Sequence, residues 1–138
     1  MEERIAARGH EHVTARHGST LEVTTDEFLT PAGDCIVGIE ADRAPADFDA
    51  AFVEACRDAS ATVVATLRAG DRTATVTGRG HPDLTFESDR SAVLRTSGHV
   101  DDRTVMVGAD AAAADLDRDL VAALADGAAL DLSLVVEV

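Results

Sequence analysis

The chain has 138 residues and 14.4 kDa, the size of one domain, so residues 1–138 are expected to fold as a single unit. Its 26 acids and 12 bases give a formal charge of −14; every base is Arg, Lys, Trp and Tyr are absent, and only four Phe occur. No apolar run approaches the ~20 residues of a membrane span, Met1-Glu2-Glu3-Arg4 does not open a signal peptide, and 46% hydrophobic content excludes a disordered tail.

In chain order, residues 5–15 and 20–25 read as strands separated by Arg16-His17-Gly18-Ser19. Leu21 and Val23 alternate with Thr20, Glu22 and Thr24, the period of a half-buried strand. Residues 28–33 form a turn-rich connector, and residues 35–39, apolar on both faces, read as a central strand. Asp47 is the expected N-cap of an amphipathic helix near 47–58, with Phe48, Ala51, Phe52 and Ala55 on one face. Residues 61–68 and 72–78 predict a hairpin around Ala69-Gly70-Asp71. Strands are expected near 83–87, 92–97 and 103–109. The Ala- and Leu-rich stretch 110–126 predicts a second helix ending at Gly127. Residues 130–138 alternate most regularly and read as the last strand. No internal repeat is identified. About eight strands and two helices without regular βαβ alternation predict a mainly β, antiparallel fold. It is expected to be a sandwich or a barrel with the helices on its outside.

The charge points to a salt-rich cytosol. Seventeen of the acids are Asp and no Lys is present. Self-repulsion on such a surface falls in molar salt, where the Debye length is about 3 Å. A cytoplasmic halophilic protein is expected, losing its compact state when salt falls below about 0.5 M. Arg residues form no run and no Tyr or Trp supplies a stacking platform, so nucleic acid is not an expected partner. Nor is a membrane. Cys35 and Cys56 form no CxxC pair and read as reduced, buried thiols.

Four groups of residues could carry chemistry. His10 and His12, at i and i+2 on a strand, would point to one face roughly 6.6 Å apart and could share a divalent metal ion, with Glu22 adding a carboxylate. The alternative is local hydrogen bonding near the chain end. Asp34 follows Gly33 at the mouth of an apolar strand, as a ligand-facing acid or as the cap of turn amides. His81, held extended by Pro82, could act as a general base or shape a turn. Arg95 and Arg103 flank a loop with His99, Asp101 and Asp102. They could clamp a carboxylate or phosphate, or pair with neighbouring acids. No phosphate-binding glycine loop and no GxSxG elbow occurs.

Gly9-His10, His17 with Thr20 and Glu22, Leu29-Thr30 and Gly33-Asp34-Cys35-Ile36 with Gly38 and Ala41-Asp42 resemble an archaeal family known as domain of unknown function 371. Gly80-His81-Pro82 with Leu84-Thr85, Arg95-Thr96-Ser97, Arg103-Thr104, Ala109-Asp110 and Asp115-Leu116 extend the resemblance over about residues 9–125, as a haloarchaeal-type member. The resemblance implies an archaeal, cytoplasmic, stand-alone domain with a jelly-roll-like β-sandwich, and it carries no activity. The family pattern has Lys near 96 and 111, where this chain has Thr96 and Ala111.

Three functions follow as expectations. The first is a binding module whose His10, His17, Glu22, Asp34, His81, Arg95 and Arg103 converge on a small polar ligand or metal ion. The second is a protein of structural contacts, forming a homodimer through the terminal strand as an exposed edge. The third is a metal-assisted hydrolase or lyase with His81 or Asp34 as general base.

Overall fold

The computed structural model describes residues 1–137. Eight strands and two helices follow in the order β1 (Glu2–Arg8), β2 (Thr20–Thr24), β3 (Ile36–Gly38), α1 (Ala50–Cys56), β4 (Thr62–Ala69), β5 (Arg72–Arg79), β6 (Ser91–Arg95), β7 (Thr104–Met106), α2 (Arg118–Ala125) and β8 (Ala129–Glu137). The fold is mainly β. One four-stranded sheet has the order β1-β8-β4-β5 and the other β3-β2-β6-β7. The sheets meet at their edges only through single bridges, Arg8–Ile39 and Arg79–Val107, so no closed barrel forms.

Alternation puts one face of each strand into a common core. Ile5, Leu21, Val23, Val63, Ala65, Leu67, Leu94, Leu132 and Leu134 are buried from the strands, with Phe52, Leu120 and Leu124 from the helices. Asp49, not Asp47, caps α1, its side chain accepting from the Ala51 amide at 3.0 Å. Asp47 instead closes the 3-10 turn Pro45–Asp47, where it accepts from the Ala44 amide at 2.9 Å. Asp115 and Asp117 divide the same two tasks before α2.

Several expectations are corrected. β2 pairs with β3, and β6 with β7, in parallel, so the sheets are not wholly antiparallel. β3 is an edge strand rather than a central one. β1 ends at Arg8, seven residues short of the expected 15, and no strand forms near 83–87. Val13 and Ala15, like Leu84 and Phe86, are buried alternately along irregular backbone, which imitates the strand period without a ladder partner. β8 lies between β1 and β4, with both its hydrogen-bonding sides occupied, so it offers no edge for a second copy.

The chain also contains a repeat that the sequence reading did not find. Exchanging β1–β4 with β5–β8 turns each sheet order into its own reverse, as a two-fold axis requires. The axis passes near the paired residues Glu22–Val93 and Thr66–Ser133. Arg8-Gly9-His10 corresponds to Arg79-Gly80-His81, and Ala41-Asp42 through Asp47-Phe48-Asp49 to Ala109-Asp110 through Asp115-Leu116-Asp117. Contacts repeat as well. Asp42 accepts from the Ala6 amide at 2.8 Å and Asp110 from the Thr77 amide at 2.9 Å. The connector between β2 and β3 is longer than that between β6 and β7, which shifts the offset from 71 to 68 and hides a single period.

Candidate functional site

The two Gly-His turns are built alike. The Gly9 amide donates to the Ala128 carbonyl (2.8 Å) and the Gly80 amide to the Ala61 carbonyl (3.0 Å). His10 Nδ1 then accepts from the His12 amide, and His81 Nδ1 from the Asp83 amide, both at 3.0 Å. Each imidazole thus caps its own turn, the local role weighed for both. The His10 and His12 rings lie 5.1 Å apart on this turn, not on a strand face. Among the described residues no group of three or more His, Cys, Asp or Glu side chains is placed to hold a metal ion.

His17 also turns inward on its own segment. Its Nδ1 accepts from the Ser19 and Thr20 amides at 3.2 and 3.1 Å. The main chain brings Asp34 beside it, because the Arg16 and His17 amides both donate to the Asp34 carbonyl (3.0 and 3.2 Å). The His17 carbonyl accepts from the Ala114 amide at 3.0 Å, which ties this loop to the turn before α2.

Glu22, Arg95 and Arg103 do come together, through Asp101. Arg103 Nη1 lies 3.8 Å from Glu22, and its Nη2 3.2 Å from Asp101. Arg95, nearly buried, places Nη2 2.9 Å from Asp101 while its Nε donates to the Thr104 hydroxyl at 2.9 Å. Burial opposes the charge of Asp101, but the Arg103 amide, the Thr104 hydroxyl and the two guanidiniums outweigh it and hold its carboxyl at about 2. The slot between the two arginines is therefore filled by a carboxylate of the chain itself. Cys35 Sγ sits 3.7 Å from Glu22, and burial together with that charge pushes the thiol up. Burial pushes the Cys56 thiol up to about 12. Both remain protonated at neutral pH, which makes them poor nucleophiles.

An open cleft of about 180 Å³ lies where the loop after β1 meets the start of α2, lined by Ala15, Arg16, Ala114 and Arg118. Seven arginines (Arg4, Arg8, Arg43, Arg72, Arg90, Arg95 and Arg103) form ion pairs with acids. Among the described residues the other five, Arg16, Arg57, Arg68, Arg79 and Arg118, form none, and two of these, Arg16 and Arg118, line the cleft. Arg118 donates instead to main-chain carbonyls: Nε to Leu116 (3.1 Å), Nη1 to Thr14 (3.3 Å), and Nη2 to Ala15 and Ala113 (both 3.1 Å). These bonds fix its position and leave its formal charge uncompensated. Neither residue stands out in the sequence: Arg16 lies in the connector between the first two expected strands, and Arg118 within the second expected helix. Their only signal lies in the repeat, where Glu87 and Ala50 stand at the corresponding places.

A mainly β chain built on two corresponding halves, with a basic cleft where the loop after β1 meets α2, is the class defined by this geometry. Residues 5–137 match the family described as a domain of unknown function (DUF371), and the chain belongs to it. It is similar to the uncharacterised protein MJ0206 of Methanocaldococcus jannaschii, with 38% identity over 136 residues, 99% of this chain and all of that protein.

Proposed function

We propose that this chain is a binding module for a small polar ligand, taken up at the Arg16–Arg118 cleft. The observation that carries the reading is a cavity of about 180 Å³ lined by Arg16 and Arg118, neither of which forms an ion pair among the described residues, in a chain whose net charge is −14. Small-molecule sites are concave and hold a few fixed polar groups; this cleft is below the ~300 Å³ of drug-sized pockets and suits a compact ligand or one end of a larger one. His17 and Asp34 support the reading as second-row groups, since their main chain joins the cleft-forming loop to Ala114. His10 and His81 are turn-forming in it, and Glu22, Arg95 and Arg103 brace the sheet. The dominance of Asp over Glu, with no Lys, supports a salt-rich cytosol as the setting.

The test is a backbone NMR titration in concentrated KCl with a panel of small carboxylates, phosphates, amines and sugars. Saturable shifts at amides 15–18 and 113–118 are expected from at least one member. A spectrum unmoved there by every member overturns the reading.

A further inference from the structure

The internal two-fold provides a control for the cleft, because each of its residues has a counterpart in the other half. Ala15 corresponds to Phe86, Arg16 to Glu87, Ala114 to Ala46 and Arg118 to Ala50. The correspondence is structural as well as counted. Ala15 and Phe86 both adopt left-handed backbone, at φ 48° and 52°, a conformation uncommon for any residue with a Cβ.

The counterparts differ in charge, the property a ligand at the cleft would feel. The Phe86 ring is buried and packs on Phe48 and Phe52, with centroids 5.9 and 6.3 Å apart, so an aromatic side chain fills its position. In the other half Ala15 ends at a methyl group that is itself fully buried in the core, while the loop it belongs to borders a cavity of about 180 Å³. Both arginines stand in the half with the cavity; in the other half their places hold Glu87 and Ala50. The difference in charge is what a ligand at the cleft would meet.

We infer that the cleft binds the oxyanion of a small ligand, a carboxylate or a phosphate group, and that this site is single, confined to one half of the two-fold framework. The inference rests on the binding-module reading above and adds the ligand's chemical class. A planar guanidinium donates two parallel N–H groups to such an anion. Arg118 is already held by the carbonyls of Thr14, Ala15, Ala113 and Leu116, and Nη1 keeps one N–H beyond its bond to Thr14. Arg16, exposed and without an ion pair among the described residues, is the arm that closes on the ligand. The chain's net negative charge repels anions at long range. Salt screens that repulsion over distances beyond the Debye length, about 8 Å at 0.15 M and 3 Å at 1 M, while a contact between guanidinium and oxyanion survives better.

The probes are inorganic phosphate and acetate, titrated into the intact chain at matched ionic strength in KCl and followed by backbone NMR. Saturable shifts are expected at amides 15–18 and 113–118 and not at the counterpart amides 86–89 and 46–50. Tighter binding of phosphate than acetate assigns a phosphate group, and the reverse order a carboxylate. Arg16→Glu, at an exposed position, is expected to weaken binding by at least about tenfold, the scale of one charge-assisted hydrogen bond. Shifts caused by a sugar or an amine, with none from phosphate or acetate beyond KCl, overturn the anion class and leave the cleft as a ligand site. No response at the cleft to any of these overturns both readings. Equal shifts in both halves, or unchanged binding in Arg16→Glu, overturn the inference alone.

Discussion

Asp101 collects donors from three neighbours. Its carboxylate accepts from the Arg103 amide at 2.9 Å, the Thr104 hydroxyl at 3.1 Å and the Arg95 guanidinium at 2.9 Å. Burial alone would raise its pKa; the donors and charges win and hold it at about 2. In the unfolded chain the same group titrates near 3.9, so between these values the unfolded state binds the extra proton. The stability Asp101 contributes is thus complete above about pH 5 and lost as the pH falls toward 2, in total about 2 kcal/mol. Asp26, Glu40 and Asp58 are also held below the usual carboxylate range by their partners, so the wild-type curve alone does not isolate Asp101. Asp101→Asn should start less stable at pH 7 and lose about 2 kcal/mol less between pH 5 and pH 2, as read from urea midpoints. Parallel curves for the two proteins would refute the assigned role. Arg95 and Arg103 were legible in the sequence as a pair across a loop, and pairing with a nearby acid was one of the two readings. Which acid closes the pair depends on β6 and β7 running parallel, and no residue spacing declares that direction.

The elements most misread are the segments that follow β1 and β5. Both bury alternate residues, Val13 and Ala15 in one and Leu84 and Phe86 in the other, and both therefore have the pattern of a strand. What turns them aside is a close approach of backbone to helix end. A Cβ on Gly80 would strike the Cys56 carbonyl oxygen at the end of α1, with the Asp58 oxygen 2.6 Å away; a Cβ on Gly9 would strike the Leu124 carbonyl near the end of α2. Main-chain atoms cannot swing away as a side-chain tip can. Gly80→Ala and Gly9→Ala should each destabilise by about 1–3 kcal/mol or more, the range of overpacking. Gly18→Ala, where a Cβ meets nothing within 4 Å, should leave the urea midpoint nearly unchanged. A Gly80→Ala midpoint matching that of Gly18→Ala would mean that strand end and helix end are not held in contact. By contrast the β4–β5 hairpin and β8 were legible, because their alternation and their turn residues agree.

At the scale of the molecule, two halves share one set of hydrogen bonds. The first sheet takes its strands alternately from each half, in the order β1-β8-β4-β5, and the second is joined at its centre by β2 and β6. Residues 1–70 alone would hold β1 and β4 without β8, the strand that lies between them, and residues 71–138 would hold β5 and β8 without β4. Neither half can complete the first sheet or bury the strand faces that now meet in the core, so neither should fold as a monomer. The chain can be cut between Gly70 and Asp71, both exposed, in a turn where Gly70 takes φ +62° and has open space around it. Each fragment alone should show no β-sheet circular dichroism and no cooperative melt. An equimolar mixture should recover both, with a melting temperature that rises with concentration because association and folding are then one event. Residues 1–70 folding alone as a monomer would contradict the interleaved sheet. The same interleaving explains why the repeat escaped a reading along the chain. Its evidence lies in pairings between residues about 70 positions apart, and the unequal connectors 25–35 and 96–103 move the two strongest matching motifs out of a common register. The basic cleft was hidden for the same reason. Arg16 and Arg118 are unremarkable one at a time, and become informative only when the fold sets them beside each other and opposite Glu87 and Ala50.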